Sequence, residues 1–116
     1  MLTDAWVPAS VGKRVTETAL KKKALYEILM AQGVQFGRVV QEITAVVGDP
    51  HRARLLRTEV GSPLLKMVRL MHDRDEQPVL HVTAYMPADR ASILMEVVGE
   101  SVNTLSAGRI VFDAPI

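Results

Sequence analysis

Residues 49–89 read DPHRARLLRTEVGSPLLKMVRLMHDRDEQPVLHVTAYMPAD, and this stretch decides the fold. Asp49 is suited to cap a helix N-terminus, and Pro50 suits the first helical position. The spacing predicts a helix from there to about Glu59, with Gly61 ending it. Two apolar-rich runs follow the Gly61-Ser62-Pro63 turn, Leu64–His72 and Val79–Met86. The charged residues between them, Asp73 to Gln77, read as the tip of an antiparallel hairpin.

Upstream, FGRVVQEITAVV at residues 36–47 is rich in β-branched residues and predicts a long strand. Residues 16–32 predict a helix, with Thr16 as N-cap, an apolar stripe of Ala24, Leu25, Ile28 and Leu29, and Gly33 as the stop. Leu2 to Val7 reads as the end of a strand, halted by Pro8. Residues 91–98 suit either a strand or a helix, and Arg109 to Asp113 suit a last strand. Ala5-Trp6-Val7-Pro8-Ala9 echoes Ala84-Tyr85-Met86-Pro87-Ala88, as in a fold built from two similar halves.

Composition narrows the function classes. At 116 residues the chain has length for one domain, taken as 1–116. A net charge of +1 gives no electrostatic case for nucleic acid or an anionic membrane as main partner. With no cysteine there is no disulfide, thiolate metal site or cysteine nucleophile. Aromatic residues, at 4%, are too few for a base-stacking platform. No apolar run reaches the ~18 residues of a membrane span, and the N-terminus lacks a signal-peptide pattern. A cytoplasmic location is expected.

The residues of the hairpin carry the chemistry. Side chains alternate faces along a strand, so Leu65, Met67, Arg69 and Met71 share one face. Leu80, Val82, Ala84 and Met86 are expected on that same side of the hairpin. The result is an apolar surface with a single cation. Arg69 either grips a ligand carboxylate or phosphate through its guanidinium fork, or makes a structural pair with Glu42, Asp73 or Glu59. The other face carries Val79, His81, Thr83 and Tyr85. Arg69, Leu80, Val82, Met86, Tyr85 and His81 form the candidate ligand-binding set. Met67, Met71, Met86 and Met95 either line an adaptable pocket or belong to the core, and Trp6 is a pocket wall, a dimer contact or core. Lys21, Lys22 and Lys23 are read as a solvated helix face. The three histidines lack metal-site spacing, so no metal or cofactor is expected. No catalytic constellation is evident, and Asp73, Asp75 and Glu76 read as a solvated hairpin tip.

The order and spacing of Ala53, Leu56, Gly61, Pro63, Leu64, Leu65, Arg69, Asp73, Pro78, Val79 and Asp89 resemble the effector-sensing (UTRA) domain of GntR-type transcription regulators, HutC branch. Leu25-Tyr26-Glu27-Ile28-Leu29 with Gly33-Val34 extends the likeness, which runs from about Trp6 to Arg90. The resemblance implies an α+β fold: an antiparallel, chorismate-lyase-like sheet with packed helices. It also implies a homodimer that binds a small metabolite and so changes how an upstream winged-helix domain holds operator DNA. That domain is not found in this chain, which therefore resembles the C-terminal portion of a regulator. The family often has a Glu just after Pro-Val and a Tyr-Arg pair before Gly-Asp. Here Leu80, Met86 and Pro87 stand there, so polar contacts suited to sugar phosphates are not carried over. A chorismate-lyase-like enzyme and a ligand-free dimerisation module are the alternatives.

Overall fold

The hairpin predicted from residues 64–86 is the centre of the molecule. In the computed structural model, which describes residues 1–12, 15–16, 24–101 and 108, β3 spans Pro63–Asp73 and β4 spans Pro78–Pro87. Asp73 builds the turn between them. Its Oδ1 accepts the backbone N–H groups of Asp75 (2.9 Å) and Gln77 (3.0 Å), as short acidic side chains do at turns. β2 (Phe36–Val47) lies antiparallel beside β3, and β1 (Leu2–Trp6) lies antiparallel beside β4. The sheet order is β1-β4-β3-β2, so β1 and β2 are its edges among the described residues.

Among the described residues three helices accompany the sheet: α1 (Ala9–Gly12), α2 (Leu25–Ala31) and α3 (Pro50–Leu55). α3 fills the connection from β2 to β3 and covers one end of a sheet face. There Leu56 packs with Leu64 and Tyr85, joined by the half-buried Leu2 and Val46. The Arg52 guanidinium lies 4.2 Å from the Tyr85 ring centroid, a cation–π contact that seals the helix over the ring. Asp49 caps α3 as expected, its Oδ1 accepting the Arg52 N–H at 2.8 Å. That bond, together with the Arg52 side chain paired to the same carboxylate, holds the Asp49 pKa below the usual carboxylate range.

Several expectations are corrected. α3 ends at Leu55 rather than near Glu59. Arg57 adopts φ 55°, its N–H reaches the Arg54 carbonyl (3.2 Å), and the Thr58 N–H reaches the Ala53 carbonyl (2.9 Å). These two bonds make a Schellman closure with arginine where glycine is usual. The helix predicted over 16–32 is not continuous. Ala24 is extended (ψ 152°), and α2 starts after it. Gly33 (φ 93°) does stop α2, by the same closure onto Leu29 and Met30. Residues 91–98 form neither strand nor helix. Leu94 is 94% exposed, so no packed surface rewards regular structure there. α1 and a short 3₁₀ turn at Gly99–Ser101 were not expected. The N-terminal part of the predicted 16–32 helix, with Lys21 to Lys23, and the predicted strand 109–113 lie outside the described residues.

Candidate functional site

The register of β3 against β4 settles which hairpin residues share a face. Leu65 lies opposite Met86, Met67 opposite Ala84, Arg69 opposite Val82, and Met71 opposite Leu80. Opposed residues point the same way, so Arg69, Leu80, Val82 and Met86 lie on one face, as the alternation predicts. β2 extends this face with Val39, Gln41, Ile43 and Ala45, which oppose Met71, Arg69, Met67 and Leu65. Burial falls across it from β4 towards β2. Leu80 and Ala84 are buried, Arg69, Met67 and Val82 are half-buried, and Gln41 and Ala45 are exposed.

Arg69 stands at the middle of this gradient. Its Nε and Nη2 both donate to Gln41 Oε1, at 2.8 and 2.6 Å. Nη2 also lies 3.8 Å from the Met67 sulfur. Among the described residues no carboxylate is within ion-pairing distance of it, and neither Glu42, Asp73 nor Glu59 is its partner. Gln41 was the unanticipated member of the site. The signal was available in the strand pairing, because Gln41 is directly opposite Arg69. The guanidinium is thus oriented by a neutral acceptor, with no compensating carboxylate among the described residues.

His81 and Tyr85 lie on the other face, away from Arg69. His81 is half-buried opposite Leu70, and Tyr85 is buried beneath α3. Trp6, 53% exposed at the end of β1, is not core, and Met95 is exposed beyond the sheet. His72 is the buried histidine. Its Nδ1 donates to the Arg38 carbonyl (3.2 Å), with Arg38 Nη2 3.5 Å from Nε2. Arg38 also pairs with Glu76 at the hairpin tip (3.1 Å).

Open clefts among the described residues include two beside the sheet. One, of about 680 Å³, lies between the α2 C-terminus and the β3–β4 turn and is lined by Gln32, Gly33, Val34, Asp73, Arg74 and Val79. The other, of about 470 Å³, runs from Met1 past Leu56 and Met86 to Arg90. Arg90 Nη2 donates to the carbonyls of Leu56 (2.8 Å) and Arg57 (3.2 Å), a cation on the free acceptors at the α3 C-terminus. Arg69 lines neither of these clefts. Among the described residues no group of three or more His, Cys, Asp or Glu is placed to hold a metal, and no helix is long and apolar enough to cross a membrane.

Solved structures share this fold. The ligand-binding domain of a protein from Bordetella bronchiseptica assigned to the GntR family of transcriptional regulators superposes with a TM-score of 0.69 at 27% identity, covering 79% of this chain and 64% of that one. A GntR-family transcriptional regulator from Enterococcus faecalis gives 0.72 at 18% identity, covering 82% and 68%. The effector domain of PhnF from Mycobacterium smegmatis gives 0.70 at 20% identity, covering 82% and 60%. The last two identities speak for the fold alone. The chain spans less than two thirds of the Bordetella and Mycobacterium domains. A comparison with curated proteins gave no match. A family model described as the UTRA domain matches residues 1–92, through the strand-helix-hairpin unit that places Arg69, and the chain belongs to that family.

Proposed function

We propose that this chain is the effector-sensing, homodimer-forming part of a GntR-type regulator of the HutC branch, acting in the cytoplasm without catalysing a reaction. A small metabolite binds on the Arg69 face. Its binding changes how a winged-helix domain, supplied outside these residues, holds operator DNA. The effector acts only through its different affinities for two arrangements of the dimer.

The observation that carries this reading is the Arg69 guanidinium on an apolar face, oriented by Gln41 and with no carboxylate partner among the described residues. Such a group is prepared for a carboxylate or phosphate, which it can bind in the bidentate manner. Val82 opposite it and Leu80 diagonal to it, with Met86 farther along the same face, favour an anion with an apolar body over a sugar phosphate. His81 and Tyr85, on the opposite face, support the fold in this reading and do not touch the effector.

A thermal-shift screen with sugar phosphates, amino-acid catabolites and aromatic or aliphatic acids tests it. A ligand at ~100 times its dissociation constant stabilises the fold by about 2.7 kcal/mol. The expected outcome is a hit among acids with an apolar body, abolished by Arg69→Ala. A hit that survives Arg69→Ala would remove Arg69 from the site. Turnover of chorismate would favour an enzyme instead.

A further inference from the structure

β2 is an edge strand with an unusual sequence. Residues 39–47 read Val-Val-Gln-Glu-Ile-Thr-Ala-Val-Val, so reflection about Ile43 sets valines on valines (39 on 47, 40 on 46) and polar Glu42 on polar Thr44, with only Gln41 and Ala45 unlike. Edge strands in soluble proteins are commonly guarded by lysine, proline or bulges. These nine residues hold neither lysine nor proline, and the irregularity in β2 lies before Val39. Val39, Val40 and Val47 are exposed, and among the described residues nothing pairs with the outer side of β2.

The hydrogen-bond phase of this edge can be derived. Gly48 N–H donates to the Ser62 carbonyl at 2.9 Å, and Val47 opposes Pro63, which has no N–H. Bonded and non-bonded pairs alternate in an antiparallel ladder. The even-numbered residues of β2 therefore bond to β3. The N–H and C=O groups of Val39, Gln41, Ile43, Ala45 and Val47 point outward.

We propose that two copies of this chain join through these edges, antiparallel, about a two-fold axis at Ile43. The proposal deepens the homodimeric part of the function proposed above and rests on it. In this register Ile43 meets Ile43 of the second copy, Gln41 meets Ala45, and Val39 meets Val47, each pair using outward-pointing backbone groups. On the other face Val40 meets Val46, and Glu42 meets Thr44. The contact is isologous, as a two-fold dimer requires. Neighbouring registers are worse. Moving the axis to Glu42 sets like charges opposite each other, which is destabilising. Moving it to Val40 pairs Arg38 with Glu42 but runs into the irregularity at Gly37 and Arg38. Moving it to Thr44 places Glu42 against Val46 and separates the valine pairs. The Ile43 register also sets Gln41, which orients Arg69, beside Ala45 of the second copy, so the effector face runs into the dimer seam.

The chain has no cysteine, so an introduced thiol can pair only with its own copy. Cα atoms in a hydrogen-bonded pair are ≈ 5.5 Å apart, within disulfide range. Ile43→Cys is expected to cross-link the dimer on mild oxidation. Val47→Cys alone should not, because its copy lies ~26 Å away along the strands, whereas a mixture of Val39→Cys and Val47→Cys should form the mixed disulfide. Light scattering supplies a second measurement. Val40→Lys, at an exposed position, should keep the fold by circular dichroism and weaken dimerisation by about tenfold or more. A dimer that Ile43→Cys does not cross-link and Val40→Lys does not weaken overturns this interface and leaves effector sensing standing. A monomer whose odd-numbered β2 amides resist hydrogen exchange assigns the edge to another part of the same chain and also overturns it.

Discussion

Replacing Arg69 by methionine separates a ligand-gripping arginine from a structural one. In the free protein the substitution removes two hydrogen bonds, both to the single oxygen of an exposed glutamine. Hydrogen bonds to charged groups are worth about 1.5–3 kcal/mol. Here solvent screening reduces that to the order of 1 kcal/mol, and Gln41 regains water when Arg69 leaves. The methionine packs against Met67 and Val82 and returns up to ~1 kcal/mol of apolar burial. The net change is expected within about 1 kcal/mol, or roughly 4 °C in Tm for a domain of this size. Effector binding should respond very differently. Loss of a bidentate charge-assisted contact at ~3 kcal/mol weakens affinity by about 150-fold. Calorimetric unfolding of the free variant, followed by titration with the effector found by the screen, measures both. A free-state Tm fall beyond ~12 °C, the mark of breaking a buried ion pair, would refute the reasoning. So would unchanged effector affinity.

The remaining predictions concern the scaffold. Leu64→Ala should cost about 3–4 kcal/mol and Leu65→Ala only ~1 kcal/mol, because Leu64 is fully buried under α3 while its neighbour lies half-buried on the other face; similar losses in chemical denaturation would contradict the face assignment. Arg57→Gly should raise Tm by about 2–4 °C, since a left-handed backbone strains a non-glycine residue by roughly 1–2 kcal/mol and glycine returns part of that in chain entropy; a lower Tm would count against the closure at α3. The depressed Asp49 pKa gives a pH signature. The folded state binds this proton less readily than the unfolded chain, so the stabilisation is present above the unfolded pKa and is lost as pH falls through the folded one. The Tm gap between wild type and Asp49→Asn should therefore be widest near neutrality and narrow in acid, and a constant gap would exclude the mechanism.

Much of the fold was legible because its signals are local. The β-branched run of residues 36–47 became β2 with the same ends, the Asp49-Pro50 pair started α3, and Gly33 stopped α2. The shared face of Arg69, Leu80, Val82 and Met86 followed from period-two alternation and the length of one turn. Failures came where tertiary contacts decide. Arginine took the left-handed position that ends α3, with Arg90 from after β4 holding the adjacent carbonyls, and no local pattern announces that. The partner of Arg69 was sought among acids, yet cross-strand pairing selected Gln41, a residue 28 positions away. Tyr85 shares its strand with Leu80, Val82 and Met86 but not their direction, so its place under α3 depended on which face the helix would cover. The echo between residues 5–9 and 84–88 begins in adjacent strands, β1 and β4.

The docking of β1 onto β4 has a kinetic consequence. β2, β3 and β4 follow one another in the chain and in the sheet, so their pairing closes short loops. Leu2 opposite Tyr85 closes about 80 residues at once, the kind of non-local contact that slows folding. The three-stranded meander should therefore assemble first and receive β1 last. The same ordering makes β1 the first strand to detach in native-state fluctuations. Each detachment bares the β4 edge while leaving the β2–β3 ladder, and the Arg69–Gln41 pair across it, intact. The late-docking strand and the proposed effector face thus lie towards opposite edges of this sheet.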